Sequence, residues 1–477
     1  MWYKLLFFVS IILIGSSLSS NLPFISGENK EAKIDSLFAT WNGTDVAGGT
    51  VAVVREGEIV FSKAYGMASL EYGVPNRVET IYNLASVSKQ FTAYGMVLLE
   101  QQGKLSLEDD VRKYLPDVPD FGERITIRQM LTHTSGLRSL HALLEMAGWR
   151  GDDRRSNADL RRFIANQKEL NFPSGSEYLY CNTGYMFCAD IIEQISGMSY
   201  ESWMKENVFD PLGMSQSFCR RDINQVIPHV ATSYYGPANN EFQKAVEYWA
   251  YVGSGNMHST VADLSVWMKQ FRQPNSAFKR LQENGILTNG DTIPYALGNI
   301  VSTHRGAKVI HHGGSIGGFR SFFLFFPEYD IGFIVLSNRS SGNAGGKAFQ
   351  LAHLYLSDHL EPVSSSSPGQ AEQSSSWEPS ESDKTGMLGR YYSPELDTYY
   401  RIDWSSDDGY SLYHQRHGSR PVQGGQEDEL RNPSFRFQLV RGKRNRIIGA
   451  RASNGRVRNM WFEKVGEKYD PAKTRLK

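Results

Sequence analysis

Two parts of the chain carry the apolar pattern that predicts buried β-strands. Residues 49–66 form two apolar runs joined by a turn at 56–57, and the runs 320–326 and 331–337 flank a turn at 327–330. Pairs of apolar runs around short polar turns are typical of hairpins. The pattern therefore predicts antiparallel strand pairs at both ends of the segment 49–337.

Between these strands, apolar residues recur at helical spacing. The clearest run, 86–102, has apolar side chains every three or four positions and is followed by Gly103, a common helix stop. Ser106–Asp109 and Thr126–Gln129 have the sequence of capping boxes, which predicts two further helix starts. A last helix is predicted at about 346–359. We therefore predict an α+β fold in which an antiparallel sheet is flanked by helices and accompanied by an all-helical subdomain.

The composition changes after the last predicted helix. Residues 361–386 are rich in Ser, Pro, Glu and Gln, which is typical of a linker. Residues 387–477 contain short alternating runs with the turn-forming pairs Asp408-Gly409 and Asn454-Gly455 between them. We therefore predict a small all-β domain resembling a barrel, joined by this linker to a first domain at 21–360.

The first residues have the three parts of a secretory signal. Lys4 precedes a short apolar run, and small residues follow it at 15–20. A helix needs about 20 apolar residues to span a membrane comfortably, and this run is shorter. We expect a signal peptide at 1–20, an exported (periplasmic or secreted) protein and no membrane span in the mature chain. An uncleaved N-terminal anchor is the alternative.

Charge and cysteine content exclude several classes of function. The 477 residues include 51 basic and 51 acidic side chains, so the formal net charge is zero and no nucleic-acid partner is expected. Three cysteines do not make a disulfide framework, and we expect buried thiols. The sequence contains neither His-Glu-x-x-His nor Cys-x-x-Cys, so we expect no metal and no cofactor.

The first candidate for chemistry is the stretch 85–89, Ala-Ser-Val-Ser-Lys, at the start of the apolar helix. Ser86 and Lys89 are three residues apart, so their side chains share one face of a helix. A serine hydroxyl becomes a nucleophile when a base removes its proton, and a lysine whose pKa is lowered by burial can be that base. An N-cap serine beside a solvated lysine is the alternative interpretation.

Two other stretches add polar groups that suit acyl transfer. Tyr180 and Asn182 form a Tyr-x-Asn triplet, whose phenol can share a proton with a lysine and whose amide can hold a substrate carbonyl. His312, Gly314 and Ser315 lie in a glycine-rich run, where a substrate can approach the backbone and a free N–H can join an oxyanion hole. A structural histidine and a tight bend are the alternatives here.

In this order, the three motifs resemble those of the penicillin-recognising serine hydrolases: class C β-lactamases, DD-peptidases, D-aminopeptidases and related esterases. The runs 84–92, 130–137 and 252–260 also resemble sequences of these enzymes, and the resemblance covers about residues 30 to 360. It implies the β-lactamase/DD-peptidase fold and an acyl-enzyme mechanism. The tail resembles the β-barrel domains that D-aminopeptidases append, which shape the pocket and can restrict it to small substrates.

The resemblance implies a role for each motif residue. Ser86 corresponds to the nucleophile and Lys89 to its proton acceptor. Tyr180 corresponds to the phenol that passes the proton to the leaving group and later activates water. Substrate binding is implied for Asn182, His312, Gly314 and Ser315, with an oxyanion hole formed by the backbone N–H groups of Ser86 and Ser315.

The third motif departs from that of class C β-lactamases. Those enzymes usually carry a lysine where this chain has His312, which is only partly charged near neutral pH. We therefore predict a serine hydrolase that cleaves amide or ester bonds in small-molecule or short-peptide substrates, which can include D-amino acids. The alternatives are an esterase, a β-lactamase or D-Ala-D-Ala carboxypeptidase at the same site, or a non-catalytic peptidoglycan-binding or peptide-binding protein. The sequence leaves the oligomeric state open.

Overall fold

A computed structural model describes residues 27–236, 241–272, 276–362 and 377–467, so the predicted signal peptide lies outside the described residues. Its main feature is a six-stranded sheet in which all neighbouring strands are antiparallel. The strand Gly49–Arg55 pairs with Ile331–Ser337, so the two ends of the segment meet within the sheet and the predicted α+β fold is confirmed. Across the sheet, the strand order is Ile300–His304, Ala307–Ile316, Phe319–Phe326, Ile331–Ser337, Gly49–Arg55 and Glu58–Tyr65.

Both faces of the inner strands of this sheet are covered, and successive residues of a strand point to opposite faces. Val51 lies in one apolar cluster with residues of the helices Gly27–Leu37 and Ala344–Leu356. Its neighbour Ala52 lies in a second cluster with residues of the helix Ser88–Gln101. Burial on both sides explains why the strand sequences are almost continuously apolar.

Helices fill the chain between the strands, and short strands connect them. One of the two predicted capping boxes is confirmed, because the Thr126 side chain and Gln129 cap the helix Ile127–Leu131 reciprocally. The other prediction was wrong: Ser106 begins a turn, in which its N–H donates to the Asp109 carboxylate at 2.9 Å. The remaining α-helices are Leu140–Met146, Asn157–Ala165, Asn182–Ser196, Tyr200–Met204, Asp210–Leu212, Val261–Gln270 and Ser276–Arg280. The short strands are Met67–Ser69, Val74–Pro75, Tyr82–Asn83, Arg155–Ser156, Phe218–Cys219, Tyr234–Tyr235, Gln243–Lys244, Trp249–Ala250 and Met257–Ser259.

The C-terminal part forms a second antiparallel sheet of nine strands, as the alternating sequence predicts. Its two edge strands, Gly418–Pro421 and Gln423–Gly424, are separated by Val422 alone, so the sheet curls into a nearly closed barrel. The order is Gly418–Pro421, Gly409–His414, Thr398–Ser405, Gly389–Ser393, Met460–Val465, Ile447–Ser453, Phe435–Arg441, Glu429–Asn432 and Gln423–Gly424. We call this part the barrel domain.

The barrel domain packs directly on the first domain. One apolar cluster contains side chains of both parts, including Leu144 and Tyr400, and the Tyr400 hydroxyl donates to the Met146 carbonyl at 3.1 Å. The described end of the predicted linker also joins the barrel: the Trp377 N–H donates to the Gly425 carbonyl at 2.9 Å, and the helix Glu381–Met387 follows. Among the described residues, no helix combines the length and apolar composition needed to cross a membrane.

Candidate active site

Ser86 lies in a tight turn between a short strand and a long helix. The turn Ala85–Val87 is a single 3₁₀ segment, and the helix Ser88–Gln101 continues from it. Ala85 has a φ of 47°, a left-handed conformation that costs a non-glycine residue about 1 kcal/mol. Its N–H donates to Asn83 Oδ1 at 2.9 Å, which holds the backbone in this conformation. The turn places the Ser86 side chain at the wall of a cavity.

Lys89 is fully buried one helical turn after Ser86. Its ammonium donates to Ser86 Oγ at 3.2 Å, to Asn182 Oδ1 at 2.8 Å and to the Ser254 carbonyl at 2.7 Å. Burial lowers the pKa of Lys89 well below its ordinary value, and the positive charge of Arg456 adds to this effect. A buried amine with a lowered pKa, bonded to a serine hydroxyl, is suited to accept that hydroxyl's proton.

Tyr180 and Asn182 reach the same point from the start of another helix. Asn182 is the first residue of the helix Asn182–Ser196, and the Lys89 Nζ atom lies 4.9 Å from the centroid of the Tyr180 ring. Within the described residues, the buried Tyr180 hydroxyl has no hydrogen-bond partner. Burial raises the pKa of Tyr180, and the nearby Ser86 hydroxyl partly opposes the increase. The structure thus brings together the serine, lysine, tyrosine and asparagine that the sequence singled out.

His133 holds the segment that carries Tyr180. Its Nδ1 accepts the Cys181 N–H at 3.1 Å, and its carbonyl accepts the Leu179 N–H at 3.0 Å. The His133 and Tyr180 ring centroids are 4.2 Å apart. Burial lowers the pKa of His133 well below its ordinary value, so the imidazole is neutral. His133 therefore holds the backbone on both sides of Tyr180 and packs against its ring.

His312 is an uncharged imidazole with both nitrogens engaged. Nδ1 donates to the Gly313 carbonyl at 2.7 Å, so Nε2 accepts from the Tyr295 hydroxyl at 2.9 Å. Burial, and after it the charge of Lys89, lower the pKa of His312 to about 3. The expected partial charge at this position is therefore absent at neutral pH. Tyr295 has no motif around it in the sequence and was missed.

Gly314 and Ser315 lie where the strand Ala307–Ile316 passes the turn that carries Ser86. A Cβ atom on Gly314 would lie 2.2 Å from the Leu84 carbonyl oxygen, so only glycine fits there. Pairing with the strand Ile300–His304 ends at His311, and the residues after it line the cavity. Ser315 is among them and exposed. This edge lies beside Ser86 as the glycine-rich sequence predicts.

These groups surround one cavity with a volume of about 870 Å³. The barrel domain contributes Arg456 to its wall, a residue that sequence reasoning missed although the adjacent Asn454-Gly455 turn was recognised. No group of three or more His, Cys, Asp or Glu side chains suited to a metal occurs in the part of the chain that the structure describes. The lining comprises Ala85, Ser86, His141, Tyr180, Asn182, Tyr251, Ser254, Gly255, Ile300, His312, Gly313, Gly314, Ser315, Ile316, Arg320, Ser321, Phe322, Ser340, Ser341, Asn343, Ala344, Gly345 and Arg456.

A serine bonded to a buried lysine, with a tyrosine and an asparagine beside them on an α+β scaffold, defines the class of Ser-x-x-Lys serine hydrolases. The chain belongs to the β-lactamase family, whose model matches residues 34–356. Penicillin-binding protein 4* of Bacillus subtilis is 30% identical over 352 residues, which cover 70% of this chain and 76% of that protein. A D-aminopeptidase of Brucella anthropi is 30% identical over 348 residues, covering 72% of this chain and 64% of the relative.

Solved structures share this fold, one of them over most of the chain. The octameric penicillin-binding protein homologue from Pyrococcus abyssi aligns with a TM-score of 0.61 at 22% identity, covering 92% of this chain and 99% of its own. The D-amino acid amidase from Ochrobactrum anthropi aligns with a TM-score of 0.58 at 18% identity, over 69% of this chain and all of its own, 100%. With its family and its site, the chain is a serine hydrolase of the acyl-enzyme type.

Proposed function

We propose that this protein hydrolyses amide or ester bonds in small, peptide-like substrates through an acyl-enzyme on Ser86. The observation that carries the proposal is the Lys89 amine, buried and hydrogen-bonded to both Ser86 and Asn182. A lysine with only a structural role would keep its charged group in water, because burying an ammonium without an acidic partner is costly. The D-aminopeptidase and penicillin-binding relatives support peptide-like substrates, and D-amino acids are included in the proposal.

In the first step, Ser86 Oγ attacks the acyl carbon of the substrate while the neutral Lys89 amine takes the hydroxyl proton. We assign the backbone N–H groups of Ser86 and Ser315 to the oxyanion of the tetrahedral intermediate. The bond to the leaving group then breaks, and the proton passes through Lys89 and Tyr180 to the departing nitrogen or oxygen. The serine ester remains on the enzyme.

In the second step, a water molecule attacks the ester carbonyl as Tyr180 and Lys89 remove one of its protons. The bond to Ser86 Oγ breaks, the serine regains a proton, and the carboxylic acid leaves. Asn182 orients Lys89 through the 2.8 Å hydrogen bond and is free to contact the substrate amide with its nitrogen. The edge formed by Gly314 and Ser315 supports the extended substrate backbone.

An esterase is the second candidate, and the neutral His312 is the observation that favours it over β-lactam or carboxypeptidase chemistry that relies on a charged third motif. His312 brings no positive charge to a substrate carboxylate, because its pKa is about 3. A set of three probes separates the candidates. p-Nitrophenyl esters report esterase activity, D-alanyl-p-nitroanilide reports aminopeptidase activity and nitrocefin reports β-lactamase activity.

The deciding experiment is covalent labelling. A fluorophosphonate probe is expected to label the wild-type protein at Ser86, located by peptide mass spectrometry, and to leave Ser86→Ala unlabelled. The free energy of unfolding of the variant should lie within about 1 kcal/mol of the wild-type value, because the Ser86 side chain caps no helix. An unlabelled wild-type protein would instead support the non-catalytic peptide-binding alternative.

Export is part of the proposal, with cleavage of the segment 1–20. Its support is the sequence alone: a basic start, a short apolar run and small residues. Expression in a bacterial host, followed by N-terminal sequencing of the periplasmic fraction, is expected to find a start near residue 20. A protein retained at full length in the membrane fraction would favour the uncleaved anchor.

A further inference from the structure

Arg456 enters the active-site cavity from the barrel domain, on the loop 454–459 between two of its strands. The loop is fastened to the first domain by its backbone. The Arg456 carbonyl accepts the Ser139 N–H at 3.3 Å and the Asn171 side-chain amide at 3.1 Å. Asn171 Oδ1 in turn accepts the Arg458 N–H at 2.7 Å. The backbone that carries Arg456 is therefore held at its own carbonyl and again two residues further on.

The same fastening connects the loop to the catalytic groups. Ser139 Oγ accepts the backbone N–H of Asn182 at 3.2 Å, so one residue bonds both Arg456 and the residue that holds Lys89. The Arg456 guanidinium lies over the Tyr180 ring, 4.7 Å from its centroid. The guanidinium is thus held beside the phenol that we assign to the leaving group.

No carboxylate within the described residues forms an ion pair with Arg456, and its side chain is exposed to the cavity. Its neighbours in the loop region differ: Arg458 pairs with Glu177 at 2.8 Å and Arg451 pairs with Glu169 at 2.9 Å. An arginine that is positioned by its backbone but not neutralised keeps its charge and its forked donors for a ligand.

The cavity itself contains no negative charge among the described residues that line it. Its charged lining residues are Arg320 and Arg456, and Lys89 lies just behind the wall. Beyond Arg456, an adjoining cavity of about 560 Å³ shares His141 and Arg456 with the first and adds further arginines with a single acid, Glu145. A substrate ammonium beside Arg456 would therefore meet repulsion, whereas a carboxylate there would be attracted.

We propose that Arg456 binds a carboxylate on the leaving-group side of the substrate, so that the enzyme prefers substrates whose leaving group carries a carboxylate. The inference rests on the proposed function, because Tyr180 defines that side of the cavity. Arg456 supplies the positive charge that the third motif lacks, since His312 is neutral and bonded to Tyr295. The specificity of the first domain is then set by a side chain of the barrel domain.

The test compares two esters of N-acetyl-D-alanine, one with 3-hydroxybenzoic acid and one with 3-hydroxybenzamide. Their leaving groups differ in one charge, and rates are divided by those of uncatalysed hydrolysis. Wild-type enzyme is expected to show the higher kcat/KM with the acidic ester. In Arg456→Gln, the ratio of the two kcat/KM values should fall about fivefold, mainly through KM of the acidic ester. Arg458→Gln, which removes an equal charge outside the cavity, should leave the ratio unchanged.

Reversing the charge at position 456 should reverse the substrate preference. Arg456→Glu is expected to prefer the ester of 3-(aminomethyl)phenol over the acidic ester. Equal ratios in wild type and Arg456→Gln, or a wild-type preference for the aminomethyl ester, would overturn the inference. If the variants fail to fold, the wild-type ratio measured between 0.02 and about 0.5 M salt decides, because screening must reduce a preference that is due to charge.

Labelling at Ser86 separates the two levels of failure. If fluorophosphonate does not label the wild-type protein and the protein hydrolyses neither ester, the proposed function itself is wrong. If Ser86 is labelled but every variant hydrolyses both esters equally well, the proposed function stands and only the role assigned to Arg456 is wrong.

Discussion

Arg138 of the first domain and Glu395 of the barrel domain form an ion pair at 2.9 Å in which 1% and 3% of the two side chains are exposed. The pair continues into a network: Arg138 also donates to Gln167 Oε1 at 2.9 Å, and the Glu395 carboxylate accepts the Lys168 N–H at 2.9 Å. Charges so deeply buried need their partners, because water cannot replace them. The two domains are therefore coupled in stability.

Glu395→Gln is expected to lower the free energy of unfolding by about 3 kcal/mol, because the buried Arg138 charge then keeps only its longer ion pair with Glu169, at 3.8 Å. Urea unfolding followed by circular dichroism measures the change. The matched control is Glu177→Gln, which breaks the more exposed pair with Arg458 and should cost less than about 1 kcal/mol. Equal losses in both variants would contradict the coupling.

Lys89→Met is expected to slow acylation of Ser86 by about a thousandfold, because the variant removes the base that takes the hydroxyl proton. The measurement is the rate of fluorophosphonate labelling at one pH. Lys104→Met, at an exposed lysine after the same helix, should leave the rate unchanged. A labelling rate within tenfold of wild type in Lys89→Met would mean that another group accepts the proton.

The pH dependence of acylation should report the charge of Arg456. Lys89 accepts a proton only when it is neutral, so the acylation rate rises with pH through its pKa. Arg456 lowers that pKa, and its removal must therefore raise it. Arg456→Gln is expected to move the rising limb of the pH–rate profile to higher pH, whereas Arg458→Gln should leave it in place. A shift to lower pH would contradict the electrostatic assignment.

Gly314→Ala is expected to reduce Ser86 labelling by at least about tenfold, because the new methyl group would displace the turn that carries Ser86. The added Cβ meets backbone, the Leu84 carbonyl oxygen at 2.2 Å, and backbone cannot move aside like a side chain. Gly151→Ala is the control, since a Cβ there has open space around it. Normal labelling in Gly314→Ala would show that the strand and the turn can separate without loss.

Acid should destabilise the protein through its buried histidines. Burial lowers the pKa values of His141, His258 and His312 to about 3, against 6.5 when unfolded. Their contribution is present above pH 6.5 and is lost as pH falls towards 3, because the unfolded chain then binds protons that the folded chain does not. The free energy of unfolding in urea should therefore decrease from pH 7 to pH 4. In His258→Gln the free energy of unfolding should fall less steeply with decreasing pH, because the unfolded chain then binds one proton fewer on this account.

Several of these features could be predicted from the sequence because they depend on neighbouring residues. The strand pairs, the helix after Ser86 and the turns of the barrel domain follow from local periodicity and from turn chemistry. The Ser-x-x-Lys spacing places two side chains on one helix face whatever surrounds them. The Ser106 prediction was wrong, because the same local hydrogen bonds close a turn as readily as they cap a helix.

The fold class and the motif residues that meet around the cavity could be predicted from the sequence. The electrostatic state of these residues depends on the tertiary structure, which buries Lys89 against three acceptors, buries His312 beside Tyr295 in its neutral form, and brings Arg456 from the barrel domain over Tyr180. Periodicity and motif spacing are properties of nearby residues in the chain. Burial and charge proximity depend on which distant segments pack together, and one sequence read along its length does not contain those distances.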